Sequence, residues 1–306
     1  MTRYLRLGAS LYVPATRDGL AAVGNGHKYP FLRSVIFCTE DSVHDRDVPA
    51  ALDNLAAALR RFEPTELLRF VRVRNPAVLR TVLSMDGVSR LAGFVFPKVT
   101  IANLDDYFGL LPADSPFDVM PTLETAEVFD PSALRKLRTR LAMDHYRRRL
   151  LALRIGGNDL LNLLSLRRPR ADTVYETPLA LTIAQLVTTF RPFGFHLTAP
   201  VFEALDRPDV LAREVERDLG YGLFGKTAIH PSQVSAIEAR YRVRADELQA
   251  ADRILADGAA PVFRLHGAMC EPATHRAWAE LVRERAAIYG VTRAGADEPT
   301  IIGTAG

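Results

Sequence analysis

Carboxylic acids follow three of the apolar segments that the sequence predicts as strands. Glu40 and Asp41 come shortly after residues 33–38, Glu124 follows residues 118–123, and Asp159 comes after residues 150–155 and two glycines. Two carboxylates brought together repel unless a proton or a cation lies between them. Mg²⁺ takes one or two carboxylates and leaves its other positions to water and substrate oxygens. Glu124 and Asp159, on successive predicted strands, are therefore predicted to hold Mg²⁺.

Basic residues occupy the corresponding places on two further predicted strands. Arg72 and Arg74 close the segment 67–73, and Lys98 follows the segment 91–96. An arginine beside a metal could bind a substrate carboxylate through two parallel hydrogen bonds. Metal, arginine and carboxylates together suit the polarisation of a 2-oxo acid or the stabilisation of an enolate. The ordinary alternative stays open, because charges at strand ends are usually only solvated.

The segment 150–160, LLALRIGGNDL, has two interpretations. It reads as a strand that stops at Gly156 and Gly157 and delivers Asp159 to the mouth of a pocket. Asn and Asp also cap helices well, and Asn158 is predicted to be a better N-cap than Asp159. Capping by Asn158 and metal binding by Asp159 are compatible.

Apolar strand segments alternate with helical segments along most of the chain. The predicted strands are residues 9–13, 33–38, 67–73, 91–96, 118–123, 150–155, 195–201 and 220–229. Short apolar strands buried on both faces favour a parallel sheet closed into a barrel, which predicts an α/β protein of the (β/α)₈ TIM-barrel class. An open doubly wound sheet is the rival, although no GxGxxG follows the first strand. We expect a barrel over residues 1–240, a C-terminal helical lid or oligomerisation segment over 241–291, and a flexible tail over 292–306.

Composition narrows the class of protein. The 306 residues are 48% hydrophobic and 25% charged, which predicts a globular protein with a large core. The net charge is only +3 and no basic block occurs, so nucleic-acid and membrane partners are not expected. No apolar run approaches the roughly 20 residues of a membrane span, and no signal peptide is recognisable, which predicts a cytoplasmic protein. Cys38 and Cys270 form neither a disulfide framework nor a zinc site.

Eight short motifs, in this order, resemble those of the citrate lyase β-subunit-like branch of the HpcH/HpaI aldolase family. The most specific is FGKTAIHPSQV, which is similar to the GKxxIHPxQ pattern of that family. The eight are SLYVPA (10–15), TEDSV (39–43), FVRVRN (70–75), FPKV (96–99), LETAE (123–127), GGNDL (156–160), FGKTAIHPSQV (224–234) and GAMCEP (267–272). Together they extend over nearly the whole chain.

The resemblance implies a barrel of the phosphoenolpyruvate/pyruvate-binding type and a Mg²⁺-dependent carbon–carbon lyase or aldolase. The substrate would be a 2-oxo acid or an acyl-type compound, and the reaction would pass through a metal-stabilised enolate. The metal ligands would be Glu124 and Asp159. Arg72 would bind the substrate, and Glu40 and Asp41 would orient that arginine or a metal-bound water.

The resemblance also implies a homo-oligomer, a trimer or a hexamer, in which Glu271 acts as a catalytic acid from the lid, in its own or a neighbouring subunit. Arg74 stands where the family has asparagine and is predicted to contact the substrate as well. Lys226, next to Gly225, is a further predicted substrate contact. The arginine associated with CoA phosphate binding is absent where Gly8 stands, which argues against a CoA ester.

Three alternatives remain. The first is an acyl-CoA thioester hydrolase on the same scaffold, and the second is a non-catalytic subunit that binds the metal for assembly. In the third, Lys98 would be the Schiff-base lysine of another aldolase type. The carboxylate pair argues against that third possibility, because metal-dependent enolate chemistry needs no imine.

Overall fold

The structure, a computed structural model, describes residues 3–292 and divides into two compact units. One unit comprises Arg3–Ile237 and the other begins at Glu238. Of the predicted flexible tail, residues 293–306 lie outside the described residues. Among residues 3–292, no helix is both long enough and apolar enough to cross a membrane.

Eight parallel strands form the sheet of the first unit. They are β1 (Ser10–Pro14), β2 (Ser34–Cys38), β3 (Leu68–Arg72), β4 (Gly93–Phe96), β5 (Asp118–Leu123), β6 (Leu153–Ile155), β7 (Leu197–Thr198) and β8 (Thr227–Ala228). Their spatial order is β7-β6-β5-β4-β3-β2-β1-β8. The last strand thus adjoins the first, and Ser10 of β1 pairs with Thr227 of β8. The predicted TIM barrel is confirmed.

Helices follow the strands along the chain. They are α1 (Leu20–Gly24), α2 (Val48–Arg60), α3 (Pro76–Leu83), α4 (Leu104–Phe108), α5 (Pro131–Leu141), α6 (Asp144–Arg147), α7 (Gly157–Leu163), α8 (Leu179–Phe190), α9 (Pro208–Gly220) and α10 (Pro231–Arg240). The local sequence explains where α3 begins. The Asn75 side chain accepts a hydrogen bond from the Val78 amide, and Pro76 occupies the first turn.

The strands are apolar because helices cover the sheet. Every residue of β2 and of β5 is buried, as expected of parallel strands that are covered on both faces. Aromatic side chains fill the space between β4 and α4, where Phe96 stacks on Tyr107 with ring centroids 4.6 Å apart. This packing fixes the strand ends, which carry the polar residues.

The last predicted strands are shorter than expected. The prediction of a strand over 220–229 is wrong in extent, because α9 continues through Gly220 and only Thr227–Ala228 pair. Gly222 and Gly225 lie between them with φ of 72° and 81°, a left-handed conformation that interrupts a strand. The strands predicted over 150–155 and 195–201 likewise contract to β6 and β7.

The second unit is built around two helices. α11 (Ala245–Ile254) and α12 (Pro272–Tyr289) share a small apolar core that includes Val243, Ala251 and Val282. It also contains four short strands. They are β9 (Val243–Arg244), β10 (Phe263–Leu265), β11 (Ala268–Cys270) and β12 (Val291–Thr292), of which β10 and β11 form an antiparallel hairpin and β9 and β12 pair in parallel.

Lys226 lies in a buried charge cluster of the barrel unit. Its side chain is fully buried, and its ammonium donates to Glu214 Oε1, Asp218 Oδ2 and the Pro200 carbonyl, each at 2.8 Å. Arg168 Nη1 also lies 3.1 Å from Glu214 Oε1. The sequence predicted that Lys226 contacts the substrate, but the structure places its side chain in this buried cluster. Instead, Lys226 joins α9 and the segment after β7 to the start of β8.

Replacement of Lys226 by Met should destabilise the protein, because Glu214 and Asp218 would remain buried without their main cation. Breaking a buried ion pair by removing one partner costs about 3–5 kcal/mol. Urea unfolding of Lys226→Met measures the loss. Lys136 is exposed on α5, so Lys136→Met should change the free energy of unfolding by less than about 0.5 kcal/mol. Equal stability of the two variants would contradict a structural role for Lys226.

Candidate functional site at the carboxyl ends of the strands

A cavity of about 390 Å³ opens where the strands end, and charged and polar side chains line it. Most of the strands contribute, either directly or through the loop that follows them. The polar side chains of the lining include Tyr12, Asp41, Arg72, Thr122, Glu124, Arg154, Asp159, Glu203 and Thr227. The structure thus brings together four of the residues predicted from the sequence, namely Asp41, Arg72, Glu124 and Asp159.

Glu124, directly after β5, is almost fully buried, with 4% of its surface exposed. Its Oε1 accepts a hydrogen bond from the Lys98 amide at 2.8 Å. A Cβ atom at position 156 would lie 2.2 Å from Glu124 Oε2, so only glycine fits at Gly156. Burial, and then the nearby charge of Asp159, raises the pKa of Glu124 to about 7.

Asp159 lies in the first turn of α7, and its side chain is about one-third exposed. Its Oδ1 lies 3.8 Å from Lys98 Nζ. The prediction that Asn158 caps this helix is wrong: the N-cap is Gly156, without a side-chain cap, and Asn158 is exposed. Close packing explains the second glycine, since a Cβ at Gly157 would lie 2.7 Å from Pro200 Cβ.

Glu40 joins the two cations of the site. Its Oε2 lies 2.9 Å from Arg72 Nη1 and its Oε1 lies 2.5 Å from Lys98 Nζ. Asp41 stands beside it, 3.3 Å from each of the same two cations. Glu40 and Asp41 therefore contact both Arg72 and Lys98.

These contacts keep the cations charged. Burial acts to lower the pKa of Lys98, but its hydrogen bond to Glu40 and the charges of Glu40 and Asp41 raise it above its usual value. The pKa of Arg72 is likewise raised, because the negative charge around it, including that of Glu40, outweighs burial. A Schiff-base lysine must lose its proton to react. The environment of Lys98 favours a purely electrostatic role.

Arg74 does not line the cavity, contrary to its predicted contact with the substrate. It donates to the carbonyls of Glu40, at 3.2 Å, and Val43, and it pairs with Asp45 at 2.6 Å. These bonds hold the loop after β2 in place. Arg74 therefore positions Glu40 and Asp41 through their backbone and does not reach the substrate space.

Glu271 belongs to the C-terminal unit, where it stands immediately before α12. Its Oε2 lies 3.3 Å from Thr274 Oγ1, and its amide donates to His275 Nδ1 at 3.1 Å. Its role as a lid acid, and the homo-oligomer that this role involves, stay predictions.

The donor set at the barrel mouth fits Mg²⁺. Glu124 is buried beside a second carboxylate that raises its pKa, and a cation relieves this repulsion. Within the described part of the chain, no three or more Asp, Glu, His or Cys side chains are grouped to hold a metal. An ion here would thus have two protein carboxylates and take its other ligands from water or substrate, as Mg²⁺ commonly does.

Two charged residues of the lining were not predicted from the sequence. Arg154 lies in the middle of β6 and is buried, and Glu203 follows β7 with its Oε2 buried and, among residues 3–292, without a hydrogen-bond partner. An arginine inside the apolar segment 150–155 is a signal that could have identified Arg154. Glu203 carries no such signal, because an acid after a short strand is common.

The raised pKa of Glu124 predicts a pH-dependent stability of the metal-free protein. Between pH 4.5 and about 7 the folded state holds this proton more tightly than the unfolded chain, so stability falls as the pH rises through that window. The raised pKa of Glu124 contributes up to about 3 kcal/mol to the free energy of unfolding at low pH. Glu124→Gln should remove it, so urea unfolding at pH 5 and pH 8 should show a smaller loss in the variant. An identical loss in both proteins would contradict the raised pKa.

The C–C bond lyase family of the TIM-barrel fold matches residues 1–291 of the chain. Among curated proteins, the chain is 27% identical over 252 residues to a (3S)-malyl-CoA thioesterase of Cereibacter sphaeroides, and the match covers 80% of this chain and 81% of that protein. The family and this relative indicate an enzyme of the lyase or CoA-ester-acting kind.

Solved structures share the fold. A citrate lyase of Burkholderia xenovorans superposes with a TM-score of 0.72 at 17% identity, covering 94% of each chain. A second match is the protein CitE of Mycobacterium tuberculosis in complex with magnesium, acetoacetate and coenzyme A. It superposes with a TM-score of 0.66 at 22% identity, covering 92% of this chain and all of that one. The family model covers nearly the whole chain, so the chain belongs to the C–C bond lyases of the TIM-barrel fold.

Proposed function

We propose that the protein is a Mg²⁺-dependent lyase that breaks or forms a carbon–carbon bond in a 2-oxo acid or acyl-type substrate. The observation that carries the proposal is the meeting of the Glu124 and Asp159 carboxylates beside the cations Arg72 and Lys98 at the barrel mouth. Family membership supports the reaction class. Structures of Mycobacterium tuberculosis relatives with magnesium and acetoacetate or oxaloacetate support the cofactor and the kind of substrate.

Glu124 and Asp159 would hold Mg²⁺, which when bound supplies a Lewis acid for a substrate oxygen. Glu124 is fixed by the Lys98 amide and by the close approach of Gly156. Asp159, one-third exposed, faces the solvent side of the same site. A buried, immobile ligand and a more accessible one together allow the ion to be bound firmly and still exchange.

Arg72 would offset negative charge that develops on the substrate. Its Nε and Nη2 contact the Cys38 sulfur at 3.2 and 3.1 Å, and its Nη1 is held by Glu40. The guanidinium therefore cannot swing away, which is the preorganisation that electrostatic stabilisation needs. Cleavage of the carbon–carbon bond leaves an enolate, and the proton that it then takes up would come from water or from Glu271.

A second candidate function is hydrolysis of an acyl-CoA thioester at the same site. It is favoured by the similarity to a thioesterase. Against it stands Gly8, in place of the arginine associated with CoA phosphate binding. Arg3 and Arg6, the nearby arginines that could substitute for it, pair with Asp118 at 2.6 Å and with Glu66 at 2.8 Å. Incubation with Mg²⁺ and malyl-CoA separates the two functions. A lyase yields an oxo acid without free thiol, whereas a thioesterase releases thiol without an oxo acid.

Replacement of Asp159 by Ala should abolish Mg²⁺ binding and activity, because Glu124 alone would have to hold the ion. Loss of an outer-shell partner typically costs about 10–100-fold, so loss of a direct ligand should lower kcat/KM by more than about 100-fold. Calorimetric titration with Mg²⁺ and an oxo-acid assay measure the two effects.

Asp53, exposed on α2, gives the matched control, and Asp53→Ala should leave both quantities unchanged. Retention of Mg²⁺ binding and turnover by Asp159→Ala would contradict the proposed metal site. Mg²⁺ binding by the unaltered protein without turnover of any oxo acid or thioester would favour a non-catalytic subunit.

A further inference from the structure

Arg154 is a buried cation inside the barrel. It is 2% exposed and lies at the centre of β6, between Leu153 and Ile155. Its Nη2 donates to Thr227 Oγ1 on β8, and its Nη1 lies 3.8 Å from the Met120 sulfur on β5. The side chain thus reaches across the interior of the barrel and lines the same cavity as Glu124 and Asp159.

Arg154 differs from the other buried arginines in its partners. Arg168 pairs with Glu214 at 3.1 Å. Arg69 donates to the carbonyls of Gly24 and Glu63, and Arg149 donates to the carbonyls of residues 112, 113 and 115. Among residues 3–292, no carboxylate oxygen lies within 4.0 Å of the Arg154 guanidinium. Its partners are a hydroxyl, a thioether and the Tyr12 ring, whose centroid is 5.5 Å away. A buried charge normally has a stronger partner than these.

Two unsatisfied hydroxyls flank Arg154. Thr122 on β5 and Thr198 on β7 are the residues in register with it on the two neighbouring strands. Both are buried, and within the described part of the chain neither Oγ1 has a hydrogen-bond partner. Buried polar atoms are rarely left unpaired. A cation with hydroxyl donors on either side is the arrangement that an anion would complete.

The charge balance favours a singly charged anion. Arg72, the other arginine that lines the cavity, is already balanced by Glu40 and Asp41. Glu203 also lines the cavity, but its carboxylate lies more than 4.0 Å from the Arg154 guanidinium and forms no ion pair with it. One guanidinium without an ion pair therefore faces this part of the cavity, and it matches one carboxylate, to which arginine can donate two parallel hydrogen bonds. A phosphate dianion would leave a buried charge uncompensated.

We propose that Arg154 binds a carboxylate of the substrate, separate from the part held near Glu124 and Asp159, and so selects substrates that carry a second carboxylate. This inference rests on the proposed function and names the substrate class of the same site. Thr122, which lines the cavity, would add a hydrogen bond to the bound carboxylate. Arg154 is thus a specificity-determining residue.

Binding of paired ligands by the metal-free protein tests this assignment independently of turnover. 2-Oxoglutarate and 2-oxopentanoate share a 2-oxo acid group and a five-carbon chain and differ in the terminal carboxylate; oxaloacetate and 2-oxobutanoate are the four-carbon pair. Calorimetry in EDTA should show that at least one dicarboxylate binds about 10–100-fold more tightly than its partner, as expected for a hydrogen-bonded charge pair. Inorganic phosphate at the same concentration should not displace the dicarboxylate.

Arg154→Met should reduce this preference to less than about threefold, because it should weaken binding of the dicarboxylate more than binding of the monocarboxylate. Arg154→Lys should keep part of the preference, because it keeps the charge but not the paired donors. Arg135 is exposed on α5, and Arg135→Met should behave like the unaltered protein. Thermal unfolding checks that each variant is folded.

Equal affinity of the unaltered protein for both members of each pair would overturn the inference, as would a preference that a folded Arg154→Met retains. Tighter binding of phosphate than of any dicarboxylate would overturn it as well. None of these results depends on Mg²⁺ or on bond cleavage. Failure of the proposed lyase function is therefore recognised separately, by Asp159→Ala and the product assays.

Discussion

The carboxylates of Glu124 and Asp159 share one cavity in which Glu124 is almost fully buried, and the rest of the site is arranged around this pair. Glu124 is buried under the backbone of Gly156, and Asp159 adds a second negative charge that raises the pKa of Glu124. Such a pair is unfavourable by itself and becomes favourable when a cation joins it. Gly156 leaves room for the Glu124 carboxylate, and Gly157 leaves room for Pro200.

The remaining charges of the barrel mouth are fixed by one another. Glu40 holds Arg72 and Lys98 at once, and Arg74 pins the loop that carries Glu40. Deeper in the fold, the cluster around Lys226 ties the segment after β7 to β8 and α9. A substrate that enters the cavity would therefore meet preorganised charges and would not have to order them, which is how such sites act without reorganisation at the moment of reaction.

Much of this site could be predicted from the sequence, because parallel strands place their carboxyl ends on one side of a barrel. That rule alone brings Asp41, Arg72, Glu124 and Asp159 to one cavity. It does not apply to Lys226, which precedes β8, and it fails for Arg74, which follows β3 but bonds to the loop after β2. Their directions depend on partners, a four-residue-spaced acid pair on α9 and a set of loop carbonyls, which only the folded chain brings close.

Helix boundaries and strand lengths illustrate the same limit. Asn158 has the chemistry of a cap, yet α7 begins at Gly157, because close packing against Glu124 and Pro200 decides where the chain turns. The eighth strand was predicted too long because Gly222 and Gly225, which have left-handed φ, look in sequence like part of an apolar run. Tertiary packing overrides local preference at these points.

The central claim is that Glu124 and Asp159 bind one divalent cation between them. A crystal of the protein grown with Mn²⁺, measured for its anomalous scattering, tests it directly. If Glu124 and Asp159 bind the ion, one strong anomalous peak is expected in the cavity, within about 2.0–2.4 Å of an oxygen from each carboxylate. A structure with Mn²⁺ at saturating concentration and no peak between these two side chains would contradict it.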